Sequence, residues 1–307
     1  MGNSLGAMAG YLFKLDEESP TSMVGVMGSY SDTDSVIYGV FGRAYFGEDT
    51  HRLSGGVGGG KIENDYEDFL GTGFNAQTED DLGVSFVRYL RRTRHDWFVG
   101  AQAVAMDYEI RGLDPQTQAI LERLDLTGFY SNGVGLVLER DTRDNQNSPT
   151  EGSRFTLNNT AFREALGGGE NFDTYSANYA HYSSFGSGHV IAARLTGRWT
   201  DDAPPSGYSS VELRGYTRGE YLAPHSVTWE VEGRFSLRGR FGLNTFVGSA
   251  CLYGNGASCS DTENWFPAVG TGVTYMLKVE ERMVVRAEVA VGKADNNGFY
   301  IQFGNSF

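Results

Sequence analysis

Apolar and polar residues alternate along most of this chain of 307 residues. In residues 226–237, SVTWEVEGRFSL, Val227 and Trp229 fall on one face while Glu230 and Glu232 fall on the other. Successive side chains of a β-strand point to opposite faces of its sheet, so a period of two predicts strands rather than helices. The same alternation recurs near the C-terminus in RMVVRAEVAVG.

The pattern predicts fifteen strands, most of them about 10–14 residues long, which suits tilted membrane-spanning strands better than the shorter strands of soluble proteins. They are predicted at residues 2–15, 20–30, 35–47, 51–64, 80–91, 95–107, 129–141, 152–163, 170–184, 188–200, 225–237, 240–253, 264–278, 281–292 and 297–307. The connections alternate between short turns and long loops, as in bacterial outer-membrane barrels. We therefore predict an all-β fold, a transmembrane antiparallel β-barrel, with residues 1–307 forming a single outer-membrane barrel domain.

The strand number needs a further argument, because a single-chain bacterial barrel normally has an even number of strands. We expect about 16, with the additional strand lying upstream or within residues 65–79 or 108–128, and 14 as the fallback. The stretch 114–126, DPQTQAILERLDL, is interpreted as a solvated loop, with a short helix as the alternative. Residues 55–60, GGVGGG, are interpreted as a closely packed strand rather than a nucleotide loop, because no helix follows them.

Composition narrows the function classes. Hydrophobic residues make up 40% of the chain, yet no run of about 18 apolar residues predicts a transmembrane helix. The net charge of −14 argues against nucleic acid as a partner, because phosphates require a basic surface. The sequence shows no nucleophile elbow, phosphate loop or metal-spaced histidine–cysteine cluster. We therefore expect no enzymatic activity, no cofactor and no metal site.

The two cysteines, Cys251 and Cys259, flank a turn-rich stretch with no histidine nearby. A disulfide that closes this small loop is favoured over a zinc site, provided that the compartment is oxidising. Two unpaired thiols remain the alternative.

Three segments together carry a family resemblance. A strand that runs into DTRDNQNSPTEG has an Asp-x-Arg-Asp-Asn motif followed by Pro and Gly, at Asp141, Arg143, Asp144, Asn145, Pro149 and Gly152. A second motif follows at Leu213, Arg214, Gly215 and Tyr216, and the last three predicted strands form the third segment. Their combination and spacing resemble the surface-antigen superfamily of outer-membrane β-barrels, the BamA/TamA-like proteins. The resemblance covers most of the chain and implies a short member that lacks the periplasmic polypeptide-transport-associated repeats.

The resemblance also implies that the long loop before residue 225 folds into the barrel lumen. The Arg214 guanidinium would then meet carboxylates on the inner wall, because a buried guanidinium needs acceptors that offset its desolvation. Glu288 stands where the family often has Asp, and Glu230 and Glu232 are the alternative partners. Gly215 would let the backbone approach the wall, and Tyr216 would stack and hydrogen-bond there.

Two departures from the family pattern concern this loop. Phe246-Val247-Gly248 stands where relatives often have Phe-x-Asp, and Thr274 stands where they often have Arg. One acceptor and one arginine of the family's usual lumen network are therefore missing, and we expect a weaker or rearranged network.

The C-terminus ends in NGFYIQFGNSF, which alternation places with four apolar residues on one face. These residues are Phe299, Ile301, Phe303 and Phe307. We interpret this face as the signal that an outer-membrane barrel presents to the barrel-assembly machinery.

Three functions are compatible with the sequence. The first is a minimal scaffold that inserts or translocates membrane components, whether protein or lipid. The second is a passive or loop-plugged channel, or a membrane anchor for a separate partner, and the third and least favoured is an enzyme. We expect an integral, multi-pass protein of the bacterial outer membrane. Its expected partners are outer-membrane lipid and, during biogenesis, the barrel-assembly machinery, and a homodimer is left open.

Overall fold

A 15-stranded antiparallel sheet dominates the computed structural model, which describes residues 4–31, 33–305 and 307. The sheet strands are β1 (Ser4–Phe13), β2 (Ser22–Ser31), β3 (Val36–Phe46), β4 (His51–Phe69), β5 (Phe74–Arg94), β6 (Trp97–Gly112), β7 (Gly128–Asp141), β8 (Gly152–Phe162), β9 (Phe172–Phe185), β10 (His189–Asp201), β13 (His225–Ser236), β14 (Phe241–Tyr253), β15 (Trp265–Lys278), β16 (Met283–Val291) and β17 (Asn297–Phe303). They follow one another in chain order. Between β10 and β13, the short strands β11 (Ser209–Ser210) and β12 (Leu222–Ala223) pair only with each other.

The predicted all-β antiparallel fold is confirmed, and the fifteen long strands coincide one by one with the fifteen predicted from alternation. Within the described residues, the sheet has one strand fewer than the expected 16 and one more than the fallback of 14. Residues 2 and 3 of the first predicted strand lie outside the described part of the chain. No additional sheet strand occupies 65–79 or 108–128, since longer strands and a helix fill these segments.

The hairpin of β4 and β5 is longer than predicted, with strands of 19 and 21 residues. It includes most of the segment that the sequence predicts as a loop. One face of its tip buries Tyr66, Phe69 and Ala76, and Asn64 Nδ2 donates to Asp80 Oδ2 at 3.0 Å. These contacts supply the packing and the polar pairing that keep the tip in a ladder.

The stretch interpreted as a solvated loop instead forms the helix α1 (Pro115–Arg123). Asp114 is its N-cap, and Asp114 Oδ1 accepts hydrogen bonds from the backbone N–H groups of Gln116 and Thr117, both at 2.9 Å. Proline suits the first helical position because its missing N–H would have no intrahelical acceptor there. Leu121 is 1% exposed and anchors the helix.

None of the described helices has the length and apolar character that crossing a membrane requires.

The chain divides into two compact units, and the first consists of residues 1–138, 158–175 and 200–208. Its sheet is curved, as shown by contacts on one face between side chains that lie two strands apart. Gln102 Nε2 on β6 donates to Thr160 Oγ1 on β8 at 2.9 Å. The Arg52 guanidinium on β4 lies 3.8 Å from the centre of the Phe98 ring on β6. Neighbouring strands are about 4.8 Å apart, so such contacts require a concave face.

Three adjacent rows of this concave face in β1–β6 hold no charged residue. The rows are Gly10, Gly25, Phe41, Gly56, Phe86 and Val104; Met8, Met27, Gly39, Gly58, Val84 and Met106; and Gly6, Ser29, Ile37, Gly60, Leu82 and Tyr108. We call these three rows the apolar band. The convex face of the same strands is also apolar, with Val26, Val57 and Val87 each about half exposed.

The glycine run at residues 55–60 lies within β4, as the sequence predicts. Its glycines on the concave face leave space for neighbouring side chains. A Cβ at Gly56 would lie 3.1 Å from the Phe86 ring. A Cβ at Gly25 on β2 would lie 2.7 Å from the Phe41 ring, closer than a real contact permits. The glycines therefore let aromatic rings lie flat against the strands.

The second unit consists of residues 139–157, 176–199 and 209–307. Its core joins the loop that carries β11 and β12 to one face of β13–β16. The buried apolar residues of this cluster are Val211, Leu213, Tyr216, Tyr221, Ala223, Phe246, Ala250, Leu252, Phe266, Ala268 and Ala290. This face carries the candidate site.

Candidate functional site

The site begins with a loop that has its own hairpin. Ser209 pairs with Ala223 and Ser210 with Leu222, and Ser210 Oγ accepts from the backbone N–H of Gly219 at 2.8 Å. The hairpin brackets the motif at residues 213–216. A long connection fixed at both ends in this way loses less conformational entropy when its tip docks, because part of its order is already set.

Arg214 is held by the three carboxylates that the sequence analysis names. Its Nη1 donates to Glu288 Oε1 and Oε2 at 3.1 and 2.9 Å and lies 2.8 Å from Glu232 Oε2. Its Nη2 donates to Glu230 Oε1 at 2.5 Å. Each glutamate is 1% exposed. The Arg214 guanidinium also lies 3.5 Å from the centre of the Phe246 ring, in a cation–π contact.

Further arginines balance the buried carboxylates. Arg234 Nε donates to Glu232 Oε1 at 2.7 Å, and Arg194 Nη2 lies 3.6 Å from Glu230 Oε2. Arg286 Nη1 lies 3.6 Å from Glu288 Oε2. Together with Arg214, four guanidinium groups therefore face three carboxylates. Burying charge is costly unless it is paired and hydrogen-bonded, and each of the three carboxylates accepts at least one hydrogen bond from an arginine side chain.

The two residues after Arg214 bring the loop backbone against β15–β17. Gly215 has φ +97°, and a Cβ there would lie 3.2 Å from the carbonyl carbon of Val291. Its N–H donates to Tyr300 Oη at 2.9 Å. Tyr216 Oη donates to the Pro267 carbonyl at 2.6 Å and accepts from the Lys293 N–H at 2.7 Å. Glycine is needed here for both the positive φ and the close approach.

The two departures from the family pattern change what lies beside the loop. A Cβ at Gly248 would lie 3.1 Å from Leu213 Cδ1, so an apolar side chain fills the space beside this glycine. Thr274 pairs across the ladder with Arg286, which places an arginine one strand away from the expected position. The acceptors for Arg214 come from β13 and β16. The cluster around Arg214 contains both arginines and carboxylates.

Sequence reasoning did not single out Arg234, Asn244 or Arg286 as members of this cluster. Asn244 Nδ2 donates to Glu288 Oε2 at 2.8 Å. The available signal was alternation, since Arg234 and Arg286 lie two residues from Glu232 and Glu288 and so share their faces.

The Asp-x-Arg-Asp-Asn motif forms a turn that satisfies its own polar groups. Arg143 Nε and Nη2 bind Asp141 in a bidentate pair at 2.8 and 2.9 Å. Asn145 Oδ1 accepts from two following backbone N–H groups, and Pro149 is fully buried. Gly152 has φ +95°, and a Cβ there would collide with the Thr142 carbonyl oxygen. The motif residues thus fix the backbone of residues 142–151.

This turn reaches other segments of the second unit. Arg282 Nη1 donates to Asp144 Oδ2 at 2.5 Å, and Asn147 Nδ2 donates to the Glu281 carbonyl at 2.8 Å. Partial burial by itself raises the pKa of Asp144, but hydrogen bonds from Thr150 and Arg282 lower it to about 2. The turn is therefore tied by a carboxylate that stays ionised in mildly acidic solution.

The two cysteines are joined in a disulfide, with Cα atoms 5.9 Å apart. Cys251 is fully buried at the end of β14. Trp265 Nε1 donates to the Cys259 carbonyl at 2.9 Å. The bond anchors the loop between β14 and β15 at the point where it leaves the sheet.

The C-terminal residues do not all share one face. Phe299, Ile301 and Phe303 are 66%, 65% and 47% exposed, but Phe307 packs against Tyr182 with ring centres 6.3 Å apart. The strand β17 ends at Phe303, and Gly304 with φ +83° turns the chain away. Alternation therefore stops before Phe307, and the expectation that it joins the other three is wrong.

Phe307 lies instead among the arginines of the buried face. The Arg194 and Arg234 guanidinium groups lie 4.9 and 5.7 Å from the centre of its ring. Arg234 Nη2 also donates to the Phe307 carbonyl oxygen at 2.9 Å. The residue extends the Arg214 cluster rather than the exposed apolar face.

The chemistry of this site is that of a structural ion cluster. Its members are guanidinium groups, carboxylates and aromatic rings, with no nucleophile among them. Within residues 4–31, 33–305 and 307, no group of three histidine, cysteine, aspartate or glutamate side chains has an arrangement that could hold a metal ion. What the cluster does physically is fix one conformation of a long loop against the sheet.

Comparison with known families gives one extensive match, in which residues 45–278 correspond to the Omp85 superfamily domain. No curated protein sequence matches the chain significantly.

Solved structures are similar over nearly the whole chain. BamA from Haemophilus ducreyi lacking POTRA domains 1–3 matches with a TM-score of 0.57 and 13% identity over 98% of this chain and 69% of that chain. CdiB from Acinetobacter baumannii matches with a TM-score of 0.59 and 11% identity over 98% and 55%. CdiB from Escherichia coli gives 0.53 and 12% over 98% and 62%. The chain thus spans between about half and two thirds of these structures.

Proposed function

Because this chain belongs to the Omp85 superfamily of outer-membrane β-barrels, we propose that it is a minimal scaffold that inserts or translocates membrane components in the bacterial outer membrane. We propose further that residues 1–307 form a single integral, multi-pass barrel domain. Its loop of residues 202–224 would then lie in the lumen. Outer-membrane lipid would surround the barrel, and the exposed face of Phe299, Ile301 and Phe303 would present it to the barrel-assembly machinery.

The observation that carries the proposal is the fixed conformation of the loop. A guanidinium held by three carboxylates that are each 1% exposed cannot leave without stranding buried charge. A loop that only closed a pore would need bulk, but not a specific charge cluster at its tip. A defined loop conformation is what a scaffold requires to hold its strands in a shape that disturbs the surrounding bilayer.

The test follows the folding of a urea-unfolded model barrel that is added to liposomes containing the purified protein. Liposomes that contain an unrelated porin give the reference rate. We expect the model barrel to fold faster with this protein than with the porin. With the Arg214→Ala variant, we expect it to fold more slowly than with the parent protein. Arg218→Ala is the matched control, because the Arg218 side chain is 78% exposed and pairs with the exposed Glu212. Equal rates for the protein and the porin would contradict the proposal.

A passive or loop-plugged channel, or a membrane anchor, is the second candidate. The docked hairpin of residues 209–223 favours it, because a loop pinned to the sheet can also block a pore. Conductance across planar bilayers separates the two functions. A channel would show a higher conductance in Arg214→Ala than in the parent, without acceleration of folding by either protein.

A further inference from the structure

The apolar band on the concave face of β1–β6 departs from what an outer-membrane barrel requires. Strands of such barrels place apolar residues towards lipid and polar residues towards the interior. In the first unit, the convex face already supplies an apolar surface that could face lipid. The concave face repeats this apolar character, so its side chains need a second apolar partner.

Several side chains of the band are exposed. Met27 and Phe86 are 44% and 43% exposed, and Met8, Phe41, Val84 and Met106 are partly exposed. A contiguous exposed apolar patch on a folded protein marks a binding surface. Four of the seven methionines of the chain lie on this face: Met8, Met23, Met27 and Met106. Flexible, polarisable methionine side chains suit ligands of variable shape.

The two ends of the band differ in charge. At the end near the turn of residues 47–50, Arg43 and Arg88 stand two residues beyond Phe41 and Phe86 on the same face. Arg88 donates to the neutral Gln102 Oε1 at 3.1 and 2.6 Å. At the opposite end stands the buried carboxyl group of Asp80, two residues beyond Leu82. A ligand would therefore lie with an anionic group at the arginine end.

The height of the band fits one acyl chain. From the first row to the last, the band covers five residues along a strand, as from Gly56 to Gly60, or about 13 Å between the Cα atoms at roughly 3.3 Å per residue. One leaflet of a bilayer has a hydrocarbon thickness of about 15 Å, half of the core. An acyl chain that leaves a headgroup at the arginine end can thus extend over the whole band.

We infer that the apolar band binds an acyl chain of an anionic phospholipid, with the phosphate at Arg43 and Arg88. This inference rests on the proposed function for the location of the protein in the outer membrane, and it names lipid as the class of component that the barrel handles.

Fluorescence quenching by brominated lipid tests the inference. The purified protein is reconstituted into vesicles of phosphatidylcholine and phosphatidylglycerol, both with dibrominated acyl chains. Quenching is measured by difference from the parent, which has four tryptophans. Phe86→Trp places the reporter on the concave face, and its neighbour Val87→Trp places one on the convex face. Met27→Trp and Val26→Trp form a second matched pair, in case either concave variant fails to fold.

We expect the concave and convex reporters to be quenched to a similar extent. If Val87→Trp and Val26→Trp are quenched while the concave reporters emit like water-exposed tryptophan, the inference is overturned. A surface that binds only an apolar client strand would give that same negative result, because no client is present. Folding acceleration of a model barrel is measured separately, so loss of the quenching with retained acceleration would overturn this inference alone.

The headgroup is tested with vesicles in which only phosphatidylglycerol or only phosphatidylcholine carries bromine, at equal mole fractions. We expect roughly a thirtyfold preference of the Phe86→Trp reporter for phosphatidylglycerol, since each of the two basic residues near an anionic headgroup contributes about 1 kcal/mol. Replacement of Arg43 and Arg88 by Gln should abolish this preference. Equal quenching by the two lipids before that replacement would contradict the assignment of the phosphate to the arginine end.

Discussion

Arg214 brings one fixed positive charge to three glutamates that are each 1% exposed. Arg214→Ala should leave a folded protein that is about 3–5 kcal/mol less stable, because breaking a buried ion pair leaves charge uncompensated. Urea unfolding in lipid vesicles measures this loss, and Arg218→Ala should have almost no effect because its charge is exposed. A double-mutant cycle with Glu288→Gln should give a clear coupling energy. Additive effects would show that Arg214 does not depend on Glu288.

The identity of the residues around Arg214 was predictable to different degrees. Glu230, Glu232 and Glu288 could be identified because alternation placed them on one face and a family motif supplied the arginine. Phe246 was named only as the first residue of a segment whose Gly248 departs from the family pattern, yet its ring lies beneath the guanidinium. A stacking partner carries no charge pattern, and its position depends on the register of β14, which a single sequence does not give.

At the scale of elements, the turn of residues 142–151 links charge to acid stability. The pKa of Asp144 is about 2 in the folded protein, against 3.8 for an ordinary aspartate. A lowered folded pKa means that ionised Asp144 stabilises the fold fully above about pH 4, and that this contribution disappears as the pH falls towards 2. The stability difference between the parent and Asp144→Asn should therefore shrink over that range. Urea midpoints at pH 2–5 measure it, and a constant difference would show that the Asp144 charge contributes nothing.

Two elements escaped prediction for a common reason. The tip of the β4–β5 hairpin and the helix α1 are both rich in charged and polar residues, so each reads as a solvated loop. Alternation identifies strands where one face must be apolar, and that requirement ends where a strand leaves the membrane. Outside the membrane, the buried residues Tyr66, Phe69 and Leu121 stabilise these two elements. They are too few to produce a periodic pattern of apolar residues in the sequence.

At the scale of the whole molecule, we expect different C-terminal residues to determine assembly in cells and stability of the folded protein. Phe303→Ser changes the exposed apolar face and should lower assembly in cells while leaving refolding of the purified chain unchanged. Phe307→Ala should lower stability in vitro by about 1–2 kcal/mol, because its half-buried ring packs on Tyr182 and two arginines. Membrane fractionation and urea unfolding measure the two effects. Loss of assembly in cells with Phe307→Ala alone, at unchanged stability, would reverse these roles.

The overall architecture was the most predictable feature, since fifteen strands could be placed from a period of two. The direction of Phe307 was not, because one glycine with positive φ ends the alternation after β17. A single backbone dihedral leaves no periodic trace in the sequence.

The strands β1–β6 have apolar side chains on both faces, which affects the solubility of the chain before it is inserted into a membrane. An ordinary amphipathic strand can hide its apolar face against another and still meet water with the other face. These six strands have no such orientation, and they leave the ribosome before the other nine strands of the sheet. Their transit through an aqueous compartment should depend on a holdase that covers them, because exposed apolar strands aggregate readily. Residues 4–112, which form these six strands, should therefore show the strongest demand for chaperones.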